Sequence, residues 1–343
     1  ARPTAQAPGW WHRRVQLGDQ QRARGQMHRR AVDDGQVHRA QEEHRPSQPV
    51  EVPSQVAGNA LGRARAGGGQ TLCGSLSALA SPLGAAMHNA GYRALGLDWH
   101  YHPFEIDDLP RAVAAMRALS IRGLGISMPY KLAIIPLLDE LAPTATRIGA
   151  VNTVVNDGAR LIGHNTDWLG APRALEEVMS LAGAAVLVLG AGGAARAVAF
   201  GLAERGAQVT LCNRGAPRAM ALAHELGVDS APWDERHQLA GYAAVVNATS
   251  LGMDGVEGES PWQPSAFDST HADLVVMDIV YKPLHTALWK AATRAGAKTI
   301  HGGRMLLHQA AAQFELYTGC EAPLAAMAAG LQSASGWAME DLD

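Results

Sequence analysis

The pattern of apolar and polar positions changes character at Gln70. Before it, no run of helical or strand period is sustained. After it, short β-type runs and longer helical ones follow in order. The first half predicts strands over 71–73, 99–104 and 121–127, and helices over 81–95, 109–120 and from Pro129 through 141. Asp107 and Asp108 stand at the start of the second helix, where the helix dipole favours acids. Two β segments, 150–155 and 160–162, flank an Asn-Asp-Gly turn that suits a hairpin. Beyond Asp167 a helix over 171–181 leads to the unbroken apolar run 184–189, of the kind buried on both faces of a parallel sheet. A helix to about 205, strands over 209–212, 243–247 and 274–279, and an Ala-rich helical stretch from Arg304 complete the chain. Such alternation predicts an α/β protein with mainly parallel sheets and helices on their faces.

Composition narrows the class. The chain has 343 residues, 47% hydrophobic and 18% charged, enough for two domains with cores. No apolar run approaches the ~20 residues of a membrane span. The net charge of -3 gives no general attraction to nucleic acid, so neither partner is expected. That mean hides an asymmetry, +5 up to Gln70 and -8 beyond it. Residues 1–70 lack Ile, Phe, Tyr and Lys and contain only two Leu, too little apolar surface to offset ordering entropy. We therefore expect an Arg-rich disordered tail. A transit peptide fits poorly with Asp33, Asp34, Glu42 and Glu43; a basic nucleic-acid arm is a second reading, and an upstream stretch without function is the one adopted. Cys73, Cys212 and Cys320 are far apart, giving neither a disulfide framework nor a metal site. A reducing compartment, the cytoplasm, is expected.

Gly190-x-Gly192-x-x-Ala195 sits between the buried apolar run and a helix start, the context of a dinucleotide-binding loop. Gly190 permits the tight turn and Gly192 the close approach of a pyrophosphate. Gly193 and Ala194 open the helix, whose free N–H groups face the phosphates. The alternative is a tight strand-to-helix turn with no ligand. An NAD enzyme carries an acid at the end of the next strand. Here that place reads Cys212-Asn213-Arg214-Gly215, with Arg218 one turn later, so a 2′-phosphate and hence NADP is favoured.

Three polar stretches lie at predicted strand ends: 127–131, 149–153 and 165–167. In an open α/β sheet all three can face one cleft. A hydroxyl that loses hydride must also lose its proton, and Lys131 with Asp167 is a suitable pair. Read separately, Lys131 is also an ordinary solvated lysine and Asp167 a helix cap.

In order and spacing, Ser127-Met-Pro-Tyr-Lys131, Ile148-Gly-Ala-Val-Asn-Thr153, Gly163-His-Asn-Thr-Asp167 and the glycine loop resemble the shikimate dehydrogenase family. So do Asn213-Arg214, Asn247-Ala-Thr-Ser-Leu-Gly-Met253, Asp278-Ile-Val-Tyr281-Lys-Pro283 and Met305-Leu-x-x-Gln309. The resemblance covers roughly 71–340. It implies that Lys131 and Asp167 act at the substrate hydroxyl. It also implies that Asn152 and Gln309 bind other ring hydroxyls, that Ser75 and Ser77 hold a carboxylate, and that Ser127 stands where Thr is usual. Tyr281 would sit beside the substrate. Asn213, Arg214 and Arg218 would clamp the 2′-phosphate, with Thr249 and Met253 lining the cofactor.

The implied architecture is a substrate domain of 71–170 completed by C-terminal helices of 304–343, and a Rossmann NADP domain of 171–303. The implied reaction interconverts shikimate and 3-dehydroshikimate. Quinate or a related acid is the first alternative, and a non-catalytic NADP sensor on this fold the second.

Two departures affect the substrate end. Residues 78–87 separate Ser77 from His88, where the family has a much shorter link, and Gly125 replaces a usual Asn. Both resemble the divergent shikimate dehydrogenase-like subgroup with Ser-Met-Pro-Phe/Tyr-Lys. Ser81 is an alternative carboxylate contact, and His88 is read as structural.

Overall fold

A computed structural model describes residues 70–337 except 159, 269 and 270. The tail expected for 1–70 falls outside these apart from Gln70 itself.

Two six-stranded sheets organise the described chain. The first contains β1 (Thr71–Ser77), β2 (Trp99–Glu105), β3 (Gly123–Ile126), β4 (Glu140–Leu141), β5 (Thr153–Asn156) and β6 (Leu161–His164), ordered β2-β1-β3-β5-β6-β4. Strand β1 runs parallel to β2 and β3, β4 runs parallel to β6, and β5 is antiparallel to both neighbours. The Asn-Asp-Gly turn joins β5 to β6 as the sequence predicts. Among its helices are α1 (Pro82–Ala94), α2 (Leu109–Ala118), α3 (Tyr130–Ala133) and α4 (Pro143–Ile148). Asp108 caps α2 by accepting from the Arg111 amide at 2.9 Å.

The helix predicted from Pro129 through 141 does not form as one piece. It stops at Ala133, passes through a 3-10 turn at Ile135–Leu137 and ends in β4. Pro136 explains the break: it has no N–H to donate, and its ring crowds the preceding turn. Strand β1 runs four residues beyond the predicted 71–73.

The second sheet is parallel throughout. It contains β7 (Ala185–Leu189), β8 (Gln208–Cys212), β9 (Asp229–Ala231), β10 (Ala244–Asn247), β11 (Val275–Asp278) and β12 (Lys298–His301), ordered β12-β11-β10-β7-β8-β9. This is the doubly wound order, in which the chain reverses direction across the sheet between β7 and β10 and opens a crevice at their carboxyl ends. Helices α6 (Gly193–Glu204), α7 (Ala216–Leu226) and α8 (Ala287–Arg294) pack with it. Val186, Val188, Leu211, Val246 and Met277 fill one core face against α6 residues such as Val198 and Leu202.

Two helices connect the sheets. Helix α5 (Asp167–Glu176) begins four residues before the predicted 171, and α9 (Gly302–Thr318) leads back from β12. Leu307, Ala311 and Phe314 of α9 join a core with Cys73, Leu83, Met87 and Tyr101 of the first unit. Helix α10 (Leu324–Ser335) crosses α1 closely, since a β-carbon at Gly330 would stand 2.4 Å from the Ala86 carbonyl oxygen. Helix α5 is locked to α6 in the same manner. Pro172 cannot donate to the Trp168 carbonyl, and Gly201 packs onto that oxygen, where a β-carbon would lie at 2.0 Å. Glu177, just beyond α5, binds Arg304 and His308 of α9. Among the described residues no helix is long and apolar enough to cross a membrane.

Candidate active site

The first sheet delivers three polar groups to one point. Strand β3 ends at Ile126, and Ser127-Met-Pro129 turns the chain into α3, which presents Lys131. Residues Gly149–Asn152 lead into β5, and β6 hands over at Asn165 to α5, whose first residue is Asp167. The Lys131 Nζ donates to Asp167 Oδ2 at 2.6 Å, with side chains 32% and 14% exposed. The pair is thus half shielded but open to a ligand.

Asn152 holds the other side of the carboxylate. Its Nδ2 donates to Asp167 Oδ1 at 2.8 Å and to Thr166 Oγ1 at 2.9 Å, with Gln309 Oε1 further away at 3.4 Å. Its Oδ1 accepts from the Thr166 amide and the Thr153 hydroxyl, both at 2.7 Å. With its oxygen doubly bonded, this buried amide cannot flip without losing two partners. Asn165 adds a bond from the Asp167 amide at 3.0 Å.

A cleft of about 270 Å³ opens over this network. Ser75, Ser77, Ser81, Ser127, Lys131, Asn152, Asp167 and Gln309 face it from the first unit and α9, and Ala194, Ile279 and Tyr281 from the second sheet. Burial raises the Tyr281 hydroxyl pKa, with Asp167 acting in the same direction and Lys131 opposing. A more open hollow near Asp107 and Tyr130 has none of these convergent groups.

The remaining sequence-selected residues lie around the second sheet's crevice. Gly190 follows the last residue of β7 with φ +116°, a conformation that favours glycine. Added β-carbons at Gly192 and Gly193 would meet nothing within 4 Å, so the face of the loop is clear. Helix α6 starts there without a side-chain cap, leaving its first amides for a ligand. At the end of β8, Asn213 Nδ2 donates to the Gly215 carbonyl at 3.2 Å, and Arg214 and Arg218 are exposed, with no ion pair to either among the described residues. Thr249 is committed internally: its hydroxyl donates to Asn247 Oδ1 at 2.7 Å and accepts from the Leu251 amide. Met253 is 41% exposed. Asn213, Arg214 and Arg218 are not among the residues lining the cleft.

The chain matches, over residues 77–154, the model of the shikimate dehydrogenase substrate binding domain. Residues 173–279 match shikimate / quinate 5-dehydrogenase, and 302–331 the shikimate 5'-dehydrogenase C-terminal domain. It is 44% identical over 262 residues to shikimate dehydrogenase (NADP(+)) of Halorubrum lacusprofundi, covering 73% of this chain and 94% of that one. The chain belongs to the shikimate dehydrogenase family.

Solved members of the shikimate dehydrogenase family share its fold. The Thermus thermophilus shikimate 5-dehydrogenase in complex with NADP(H) and shikimate superposes with TM-score 0.70 at 36% identity, over 77% of this chain and 100% of that one. Quinate dehydrogenase from Corynebacterium glutamicum in complex with NAD gives 0.69 at 34%, over 77% and 99%. A shikimate 5-dehydrogenase-like protein gives 0.67 at 32%, over 77% and 97%.

Both departures from the family pattern have a structural account. Residues 78–81 form a loop between β1 and the start of α1 at Pro82, and Leu79 and Ser81 line the cleft. The Ser77 hydroxyl donates to the Leu79 carbonyl at 2.9 Å. At Gly125 a β-carbon would stand 2.8 Å from Tyr101 Oη and 3.4 Å from Gln313 Nε2, so those side chains take the space an Asn would need. Gln313 also donates to the Asn152 carbonyl at 3.1 Å and to Thr153 Oγ1 at 3.0 Å.

Tyr101 and Gln313 line the cleft but were not singled out by the sequence pattern. The available signals were weak: Tyr101 is an inward position of an alternating strand, and Gln313 lies one turn beyond Gln309 on the same helix face. His88 lies fully buried, with its ring stacked on Tyr101 at 4.3 Å. Burial lowers its pKa to about 3; nearby Gln313 opposes this, although neither ring nitrogen reaches hydrogen-bond geometry. A neutral packing role follows.

Proposed function

We propose that the chain is an NADP-dependent dehydrogenase interconverting shikimate and 3-dehydroshikimate. The observation that carries this reading is the Lys131–Asp167 pair, which faces the same cleft as Ala194 of the glycine loop. The clear loop face, the uncapped start of α6 and the exposed Arg214 and Arg218 suit NADP, with Gly190, Gly192, Gly193 and Ala194 at the pyrophosphate and Asn213 beside the 2′-phosphate. When bound, NADP accepts the hydride from the carbon that bears the reacting hydroxyl.

The chain's own residues manage the proton and the orientation. Lys131 and Asp167 share one hydrogen bond, so they act on the hydroxyl proton as a unit. Asn152 keeps the carboxylate turned toward Lys131 by binding its second oxygen. Gln309 and Ser127 suit ring hydroxyls. Ser75 and Ser81 suit the substrate carboxylate, Ser77 joins them by turning its hydroxyl away from the Leu79 carbonyl, and Tyr281 closes the cleft from the second sheet. Thr249 and Met253 form part of the cofactor wall, Thr249 through internal bonds that order its loop.

In this reading residues 71–170 with 304–343 are the substrate unit and 171–303 the cofactor unit. The cysteines are free, in keeping with a reducing cytoplasm. Assaying shikimate and quinate, each with NADP and NAD, tests the reading. Shikimate with NADP should be the preferred pair, and absent turnover on both acids alongside tight NADP binding would favour a sensor instead.

A further inference from the structure

Asp278, at the end of β11, is 1% exposed and has no place in the chemistry above. Three donors converge on its carboxylate. Thr286 Oγ1 donates to Oδ2 at 2.6 Å, while Asn247 Nδ2 and the Val280 amide donate to Oδ1 at 3.0 and 3.1 Å. A carboxylate removed from water persists only when its oxygens are satisfied, and charge-assisted bonds of this kind are stronger than neutral ones.

The donors come from the segments that build the second-sheet side of the cleft. Asn247 ends β10 and accepts from both the amide and hydroxyl of Thr249. Val280 stands between Ile279 and Tyr281, which both line the cleft. Thr286 caps α8 by accepting from the Trp289 amide. The same segments are tied again by the Asp254 amide to the Lys282 carbonyl at 2.9 Å, and by the Gly302 amide to the Val280 carbonyl at 3.2 Å. Asp278 is the side-chain junction of the Thr249 loop, the Tyr281 turn and α8.

We propose that Asp278 is a positioning residue: its carboxylate fixes the Val280 amide and Asn247 together so that Tyr281 is held at the cleft that the Lys131–Asp167 pair faces. The proposal rests on the shikimate dehydrogenase reading and adds a residue that touches neither substrate nor cofactor. Its effect passes through Tyr281, so the two residues should be energetically coupled.

The test is a double-mutant cycle on shikimate oxidation by the full chain. Asp278→Ala is expected to lower kcat by roughly tenfold to a hundredfold, the scale of a small misplacement of a reacting group. In a Tyr281→Ala background the same change should cost less than about threefold, because the group it positions is gone. Asp278→Asn keeps an acceptor for Val280 and Asn247 and should remain within about threefold of the parent. If Asp278→Ala does not fold, Asp278→Ser enters the same cycle with the same expected coupling. Equal losses in both backgrounds would overturn the proposal, as would an Asp278→Asn variant as impaired as Asp278→Ala. Those results with normal parent turnover leave the functional reading standing; a parent chain that does not oxidise shikimate overturns both.

Discussion

Lys131 and Asp167 meet at 2.6 Å although one is carried by a four-residue helix after β3 and the other opens the helix that leaves the first unit. Their proximity depends on the third strand of that sheet reaching the same edge of the cleft as the β5–β6 hairpin. Asn152, at the entry to β5, spans the two arrivals and fixes the carboxylate between them.

Removing the ammonium should therefore remove chemistry more than fold. Lys131→Ala is expected to lower kcat by about a hundredfold to ten-thousandfold, the range of a lost acid–base group. The unfolding midpoint should move little, since the side chain is partly exposed and its ion pair stabilises weakly. Steady-state rates and a thermal melt on the same preparation check both parts.

At the cofactor end, Arg214→Ala should discriminate between the two nicotinamide cofactors. Loss of charge-assisted bonds to the 2′-phosphate should reduce kcat/KM for NADP by roughly ten- to a hundredfold. The value for NAD, which has no such phosphate, should stay within about threefold.

The α5–α6 contact makes a stability prediction. A β-carbon at Gly201 would lie 2.0 Å from the Trp168 carbonyl oxygen and 2.9 Å from Pro172 Cγ, so the helices must separate to admit it. Gly201→Ala should destabilise the fold by about 1–3 kcal/mol or more, read as a lower denaturant midpoint with an unchanged slope.

His88 predicts a pH dependence. Its folded pKa, about 3, lies below the ordinary 6.5, so the stability it contributes is present above pH 6.5 and is lost as pH falls toward about 3. His164, lowered to about 4 by burial, adds to the same loss. Replacing His88 by Phe should make stability less sensitive to pH, measured by urea unfolding at about pH 7.5 and about pH 5.

The order of elements was legible because apolar periodicity and strand-end glycines are local signals. The Gly190 loop announced itself by its neighbours, a buried apolar run and a helix start. Pro136 was equally visible, yet the apolar residues around it read as a continuing helix. Tyr101 and Gln313 were harder to find because their roles depend on α9 returning to the first sheet, more than two hundred residues after β2 begins. Asp278 stood in a recognisable motif, but only the fold shows that Asn247 and Thr286 converge on it.

The central claim is that the Lys131–Asp167 cleft and the Gly190 loop serve one hydride transfer between shikimate and NADP. Its most direct measurement is the formation of reduced nicotinamide by the purified chain given shikimate and NADP, beside Lys131→Ala under the same conditions. The account predicts steady turnover by the parent and near loss in the variant. Equal rates in the two, or no reduced nicotinamide from the parent despite bound NADP, would contradict it.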